Sequence, residues 1–335
     1  MRRMATALVG LAALFGAASV SPQQTGTGPI VTSLTLFAGT GEGLWRSTDW
    51  SRTWSRVEGR TTSVGLEGLG AARALLLLTT QVWVGGDGVY VSDDFGETWA
   101  RRGATRGVQV LLASRWPQSD ATVFAGTGFG LLRSRDGGKT FESTALNDAA
   151  VHRAEWPGPA LVVASDRGLL VSTNEGKSFE GPGAGLPPGR VRAMVLSSFF
   201  AADPVIFAAP DSGGVYRSSD GGKTWNASGL ASETIGDFVW LGPFLYAAAD
   251  GGFFRSQDAG ASWTRLSASP GRPRRLLFPL APAAGLEAFL ATDQGLFRTR
   301  DAGEHWEPAG FAGVDVLSVA TFPAPDVLLR KQPRR

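Results

Sequence analysis

The amino-acid sequence predicts an all-β fold, a single seven-bladed β-propeller of four-stranded blades. Three observations carry that prediction. A polar box recurs seven times, each copy follows an apolar run that begins at a glycine, and helical periodicity between the boxes never lasts the dozen residues a helix requires.

The boxes read STDWSRTW at 47–54, SDDFGETW at 92–99, SRDGGKTF at 134–141 and STNEGKSF at 172–179. SSDGGKTW at 218–225, SQDAGASW at 256–263 and TRDAGEHW at 299–306 complete the series. Their starts lie 45, 42, 38, 46, 38 and 43 residues apart. GLWR, GVYV, GLLR, GLLV, GVYR, GFFR and GLFR precede them, and a further β-rich run such as TLFAGTGEG or QVWVGGDG stands upstream. In the third unit, Val108–Leu112 reads as strand A, Thr122–Gly126 as strand B and Gly130–Ser134 as strand C. The box then forms the C–D turn, and Phe141 opens strand D. Short runs rich in Val, Leu and aromatics, bounded by Gly, Pro, Asp and Ser, are strand signals. Four such strands in a repeat of this length are the signature of a propeller blade.

Seven blades account for residues 30–330 as one domain. The first unit has only one strand, near Val31–Ala38, before its turn, so it lacks a strand A. At the other end, Val314–Ala320 reads as a strand A with no box after it. The economical closure places this C-terminal strand in blade 1, which leaves no sheet edge open.

The flanks read differently. Arg2 and Arg3 precede an uncharged run from Met4 to Val20, followed by small residues, the pattern of an export signal over 1–21. A flexible mature N-terminus is expected over 22–29 and a basic tail over 331–335. The expected compartment is the periplasm or cell exterior, with no integral membrane segment once the signal is cleaved; an uncleaved anchor, which the 17-residue run could barely provide, is the alternative. Without Arg2 and Arg3 the chain holds 30 basic and 30 acidic residues, and Arg330, Lys331, Arg334 and Arg335 crowd the C-terminus. That distribution lacks the concentrated basic face nucleic acid requires. With no cysteine and two histidines, disulfides, thiolate catalysis and multi-His or Cys-ligated metal sites are excluded, and no cofactor is implied.

The pattern S-x-D-x-G-x-T-W resembles the Asp-box, or BNR, repeat of sialidases, sortilin-type receptor ectodomains, xyloglucan-cleaving enzymes and the photosystem II assembly and stability factor. In that repeat the box is structural, which assigns Asp49, Asp94, Asp136, Asn174, Asp220, Asp258 and Asp301 to the fold. Physics agrees: the carboxylate can accept N–H groups of its own turn, and glycine supplies positive φ. The closing Trp or Phe is expected to pack between neighbouring sheets. Trp116-Pro117, Trp156-Pro157, Phe278-Pro279 and Phe322-Pro323 recur after strand A and read as turn anchors.

The resemblance places ligand sites on the opposite face, among the B–C and D–A loops around the channel mouth. Guanidinium forks there would bind carboxylates or phosphates, and Arg106, Arg153, Arg192, Arg274 and Arg275 are the candidates. The competing expectation is that they pair with acidic B–C residues such as Asp87, Asp166, Asp211, Asp250 and Asp293. Sialidase chemistry needs a free tyrosine, whereas Tyr90, Tyr216 and Tyr246 all fall in apolar columns of the repeat. A glycosidase would need two carboxylates as acid and base, and these too stand in a repeated turn column. The residues therefore weigh toward a monomeric binding scaffold for a protein partner or anionic ligand. A single-propeller hydrolase acting on a polysaccharide is the alternative.

Overall fold

The computed structural model describes residues 34–58, 66, 69–78, 81–103, 105–114, 120–279 and 287–323. The signal segment, the mature N-terminus, Trp116-Pro117 and everything beyond residue 323, including the basic tail, lie outside the described residues. Among those described, no helix is long and apolar enough to cross a membrane.

Seven antiparallel sheets form a closed ring. Their innermost strands are Ala74–Leu77, Val108–Ala113, Val151–Glu155, Val191–Leu196, Ile235–Leu241, Pro273–Leu277 and, in blade 1, Val316–Pro323. That last strand pairs antiparallel with Leu34–Thr40, so the two ends of the ring share one sheet as expected. At the join, an alanine Cβ on Gly39 would stand 2.1 Å from the Ala72 carbonyl oxygen and 2.3 Å from Ser318 Oγ. Only glycine lets the closing strand seat against blade 2.

The core is divided into seven wedges, each between two adjacent blades. Side chains alternate across a strand. On Leu34–Thr40, Phe37 therefore turns to Val82, Tyr90 and Trp99 of blade 2, while Leu36 and Ala38 turn to Phe289 and Leu296 of blade 7. Strands buried on both faces read as continuous apolar runs. Phe37, Phe124, Phe207, Phe253 and Phe289 are fully buried in these wedges, each contributing roughly 1.5–3 kcal/mol. Tyr90 and Tyr246 are buried, and Tyr216 packs against the wedge of blades 4 and 5.

Blade 4 departs from the four-strand expectation. It has three strands, and beyond the box only Val171 and Glu180 bridge. The sequence after Glu180 is GPGAGLPPG, and Pro182 has no N–H to extend a ladder. The chain crosses instead to blade 5, where Ala184 bridges Thr224 in parallel.

The boxes close on themselves. Asp49 accepts the Thr53 N–H at 2.9 Å, the Thr53 hydroxyl at 2.6 Å and the Ser47 hydroxyl at 2.9 Å. Asp94, Asp136, Asp220 and Asp258 repeat this pattern. Asn174 bonds Ser178 through its amide, and His305 Nδ1 reaches Asp301 at 2.7 Å. Hydroxyl and backbone donors hold Asp49, Asp220 and Asp258 down at about 2. Two consecutive residues, not the glycine alone, take positive φ: Trp50 with Ser51, Phe95 with Gly96, Ala259 with Gly260. The terminal aromatics reach the preceding blade: Trp54 Nε1 donates to Ala309 O at 2.8 Å, and Trp263 Nε1 donates to Ser228 O at 2.7 Å. Trp156 packs edge-on against Phe124, and Phe278 lies 4.8 Å from Tyr246.

Candidate functional site

A one-residue slip at the start of the innermost strand builds the site. In six blades the pairing with the next strand skips one residue: Gln109, His152, Arg192, Gly236, Arg274 and Leu317. Arg73 stands at the same place in blade 2, just before the first paired residue Ala74. A β-bulge bends its strand and re-aims the extra side chain. Here all seven residues turn to the mouth of the channel and line one cavity of about 260 Å³, together with Arg153, Arg190 and Pro273.

The mouth is cationic but partly compensated. Arg190 Nε donates to Asp166 at 2.7 Å and its Nη1 lies 3.6 Å from Asp211. Arg192 Nε donates to Asp211 at 2.8 Å, and Arg274 grips Asp315 through two bonds of 3.0 and 3.1 Å. His152 Nε2 meets Asp166 at 2.8 Å. These contacts hold the Asp166 carboxyl below its ordinary value, with His152 the leading cause and Arg190 next, and they raise Arg274 through Asp315. Each B–C aspartate is fixed by its backbone as well: Asp211 N–H donates to Arg190 O, and Asp166 N–H to Ala150 O. The arginine side chains keep outward donors free, since Arg190 and Arg192 remain 45% and 41% exposed. Arg73 is exposed; its N–H donates to Gly85 O, while its side chain has no hydrogen bond or ion pair among the described residues. Gly128 lies against Gln109, and the next residue in that loop, Phe129, is 83% exposed.

Below the mouth the channel is plugged. Arg153 spans it from blade 4, donating to Arg274 O at 2.9 Å and lying 3.2 Å from Asp237. Asp237 accepts the Leu276 N–H at 2.9 Å, and Arg275 lies 3.9 Å away. Burial pushes Glu155 up to about 8, with Asp237 adding to the effect, and it pulls Arg275 down to about 10 with Arg153 assisting. The free edge of an innermost strand exposes N–H groups. Asp237 satisfies one in blade 7, and Glu155 accepts another from Leu196 in blade 5.

The sequence-selected arginines thus separate. Arg192 and Arg274 stand in the bulge ring and Arg153 forms its floor, whereas Arg275 lies inside the channel. Arg106 is exposed but precedes strand A by two residues and does not line the cavity. Arg73 and Gln109 were not selected by sequence reasoning. Register counted back from strand B would have found both. Among the described residues no group of three or more His, Asp or Glu is placed to hold a metal.

The model of the BNR/Asp-box repeat matches residues 90–101 and 216–227. The chain is a seven-bladed propeller that carries BNR/Asp-box repeats. No curated protein matches it. An ancestral GH74 enzyme is 18% identical over 71% of this chain and 38% of its own, with a TM-score of 0.56. The extracellular domain described as that of a hybrid two component system, BT4673 from B. thetaiotaomicron, is 13% identical over 73% of this chain and 33% of its own, at 0.60. YCF48 bound to D1 peptide is 15% identical over 77% of this chain and 90% of its own, at 0.58. The Asp-box propeller therefore spans well under half of the first two. At these identities the likeness is one of fold.

Proposed function

We propose that this Asp-box propeller is an exported binding scaffold that engages an acidic segment of a protein partner at the channel mouth. The observation that carries the reading is the bulge ring, which directs Arg73, His152, Arg192 and Arg274 to one bowl. A cavity of about 260 Å³ falls below the roughly 300–1,000 Å³ of ordinary small-molecule sites. It suits one or two acidic side chains entering from above, with Phe129 as an apolar contact on the rim. The peptide-bound YCF48 propeller supports the same mode of use, and the extracellular BT4673 domain supports export.

The hydrolase alternative draws on the GH74 neighbour. It asks for a carboxyl held neutral near a second ionised one. The mouth carboxylates Asp166, Asp211 and Asp315 are committed to His152 or arginines, and Glu155, the carboxyl pushed upward, lies within the channel beside the Arg153 plug.

The test compares the native chain with the Arg73→Glu/Arg192→Glu/Arg274→Glu variant, both shown folded by circular dichroism. Fluorescence anisotropy against capped acidic and matched amide peptides should show salt-sensitive binding of the acidic ones, lost in the variant. Equal binding by both proteins would remove the mouth from the reading. Turnover of a polysaccharide that Asp166→Asn abolishes would replace it with the hydrolase.

A further inference from the structure

A second cationic site lies away from the mouth, on strand C just before the box. Five blades place an arginine there: Arg46, Arg133, Arg217, Arg255 and Arg298. Three are satisfied by carboxylates. Arg46 meets Glu97 of the next blade's box at 2.5 Å. Arg133 binds Glu142 at 2.6 Å and reaches both the carbonyl and, at 3.4 Å, the carboxylate of Glu175 in the next box. Arg298 pairs with Glu287 and donates to Trp50 O at 3.3 Å. Arg255 has no such carboxylate, and its Nε is buried without a hydrogen-bond partner, but its guanidinium lies over the Phe244 ring, 5.4 Å from its centre.

Arg217 has none of this. Its side chain forms no hydrogen bond, ion pair or ring contact with a described residue, and its Nε too is buried without a partner. An unpaired donor withdrawn from water is costly, so the arrangement calls for an acceptor. The repeat shows what is missing. The two columns that supply Glu175 and Glu97 to their neighbours hold Ala259 and Ala261 in the box facing Arg217. Across the strand pair, the place of Glu142 is taken by Asn226. The small residues leave an open groove of about 320 Å³ between blades 5 and 6, lined by Arg217, Asn226, Ser228, Asp258, Ala259 and Ala261. Asp258 is no substitute, because both its oxygens are bound to Ser256 and Ser262 within its own box.

We propose that this groove is a carboxylate-binding site whose occupant is an acidic side chain of a protein docking on the box-bearing face. Its shape and charge are those that the same fold fills with Glu97 and Glu175 elsewhere. A partner's glutamate would accept from Arg217 Nε and from an outer guanidinium nitrogen, with the Asn226 amide available as a further donor.

The experiment follows arginine Nε–Hε signals of the full chain by 1H–15N NMR, with Arg217→Met identifying the Arg217 resonance. Titration with a capped Gly-Glu-Gly peptide should move that signal saturably, while Gly-Gln-Gly leaves it in place. The variant Ala259→Glu supplies the carboxylate internally, at a backbone conformation that Glu175 already adopts (φ 58° against 52°). It should abolish the response. Ala261→Glu, in the Glu97 column, serves the same purpose should the first variant not fold. An immobile signal, an unchanged response in the filled variant, or movement with glucuronate but not with the glutamate peptide would each overturn the proposal.

Discussion

Replacing Asp237 by alanine tests whether the channel is held together by charge. The Asp237 carboxylate is buried, accepts the Leu276 N–H at 2.9 Å and lies 3.2 Å from Arg153 and 3.9 Å from Arg275. Alanine leaves two guanidiniums facing each other inside the ring, together with one unsatisfied edge N–H. Breaking a buried pair by deleting one partner costs about 3–5 kcal/mol, and an orphaned N–H adds about 1–3 kcal/mol. A compensation is built in. Burial first, and Asp237 second, push Glu155 up to about 8, so removing Asp237 shifts Glu155 toward its ionised form, whose charge attracts Arg275 and Arg153. The net loss expected is about 3 kcal/mol. Asp237→Asn, which keeps an acceptor for Leu276, should lose less. Urea denaturation of Asp237→Ala, Arg153→Met and the double variant would measure it, with a coupling of more than about 1 kcal/mol between the two positions. An alanine variant within about 0.5 kcal/mol of the native chain, or strict additivity with Arg153→Met, would refute the reasoning.

Three further outcomes are expected. Glu155→Gln should flatten the pH dependence of stability: the folded carboxyl sits near 8 against 4.5 unfolded, so native stability falls as pH climbs through that window, and melting temperatures at pH 5 and 8 will show whether the variant lacks the decline. Ser51→Gly should stabilise the first box by about 1 kcal/mol, because Ser51 holds φ at 63° where six boxes carry glycine; a chemical melt no more stable than the native one would count against it. Gly39→Ala should loosen the ring closure, since its Cβ meets a backbone oxygen at 2.1 Å, and limited proteolysis should then cut near 316–323 while blades 3 to 6 stay protected.

The fold was legible because its signals are local. Seven boxes set the blade count, glycines mark the turns, and the unpartnered run Val314–Ala320 announces the closure observed at Val316–Pro323. What escaped depended on partners. Blade 4 lost its fourth strand to the pull of blade 5 on a Gly/Pro-rich segment, and nothing within that segment states where it will dock. The bulge ring escaped for a similar reason. A slip of one residue is a property of two strands together, and it moves every side chain across the sheet. Arg192 and Arg275 look alike as letters, yet the slip turns the first to the mouth and leaves the second in the channel. Arg73 was equally present in the sequence, but only its register gives it the same place as Arg192 and Arg274.

Internal repetition also separates what the fold needs from what it is free to use. A column that holds one residue type in all seven blades serves a contact that every blade makes, as the box hydroxyls and the Asp or Asn of each box do. The bulge column holds Arg, Gln, His, Arg, Gly, Arg and Leu; only Gly236 is imposed by its neighbour, since a Cβ there would stand 2.3 Å from the Pro273 carbonyl oxygen. A bulged residue projects from the innermost strand and contributes little to the wedges between blades, so its identity is open to selection by whatever enters the mouth. The strand C arginines give the converse case. There the residue type repeats in five blades and its partner varies, so the blade in which a missing partner leaves an open groove becomes the one that can accept it from outside. Both sites arise by the same logic, a repeat that keeps its scaffold and breaks its symmetry at a single position.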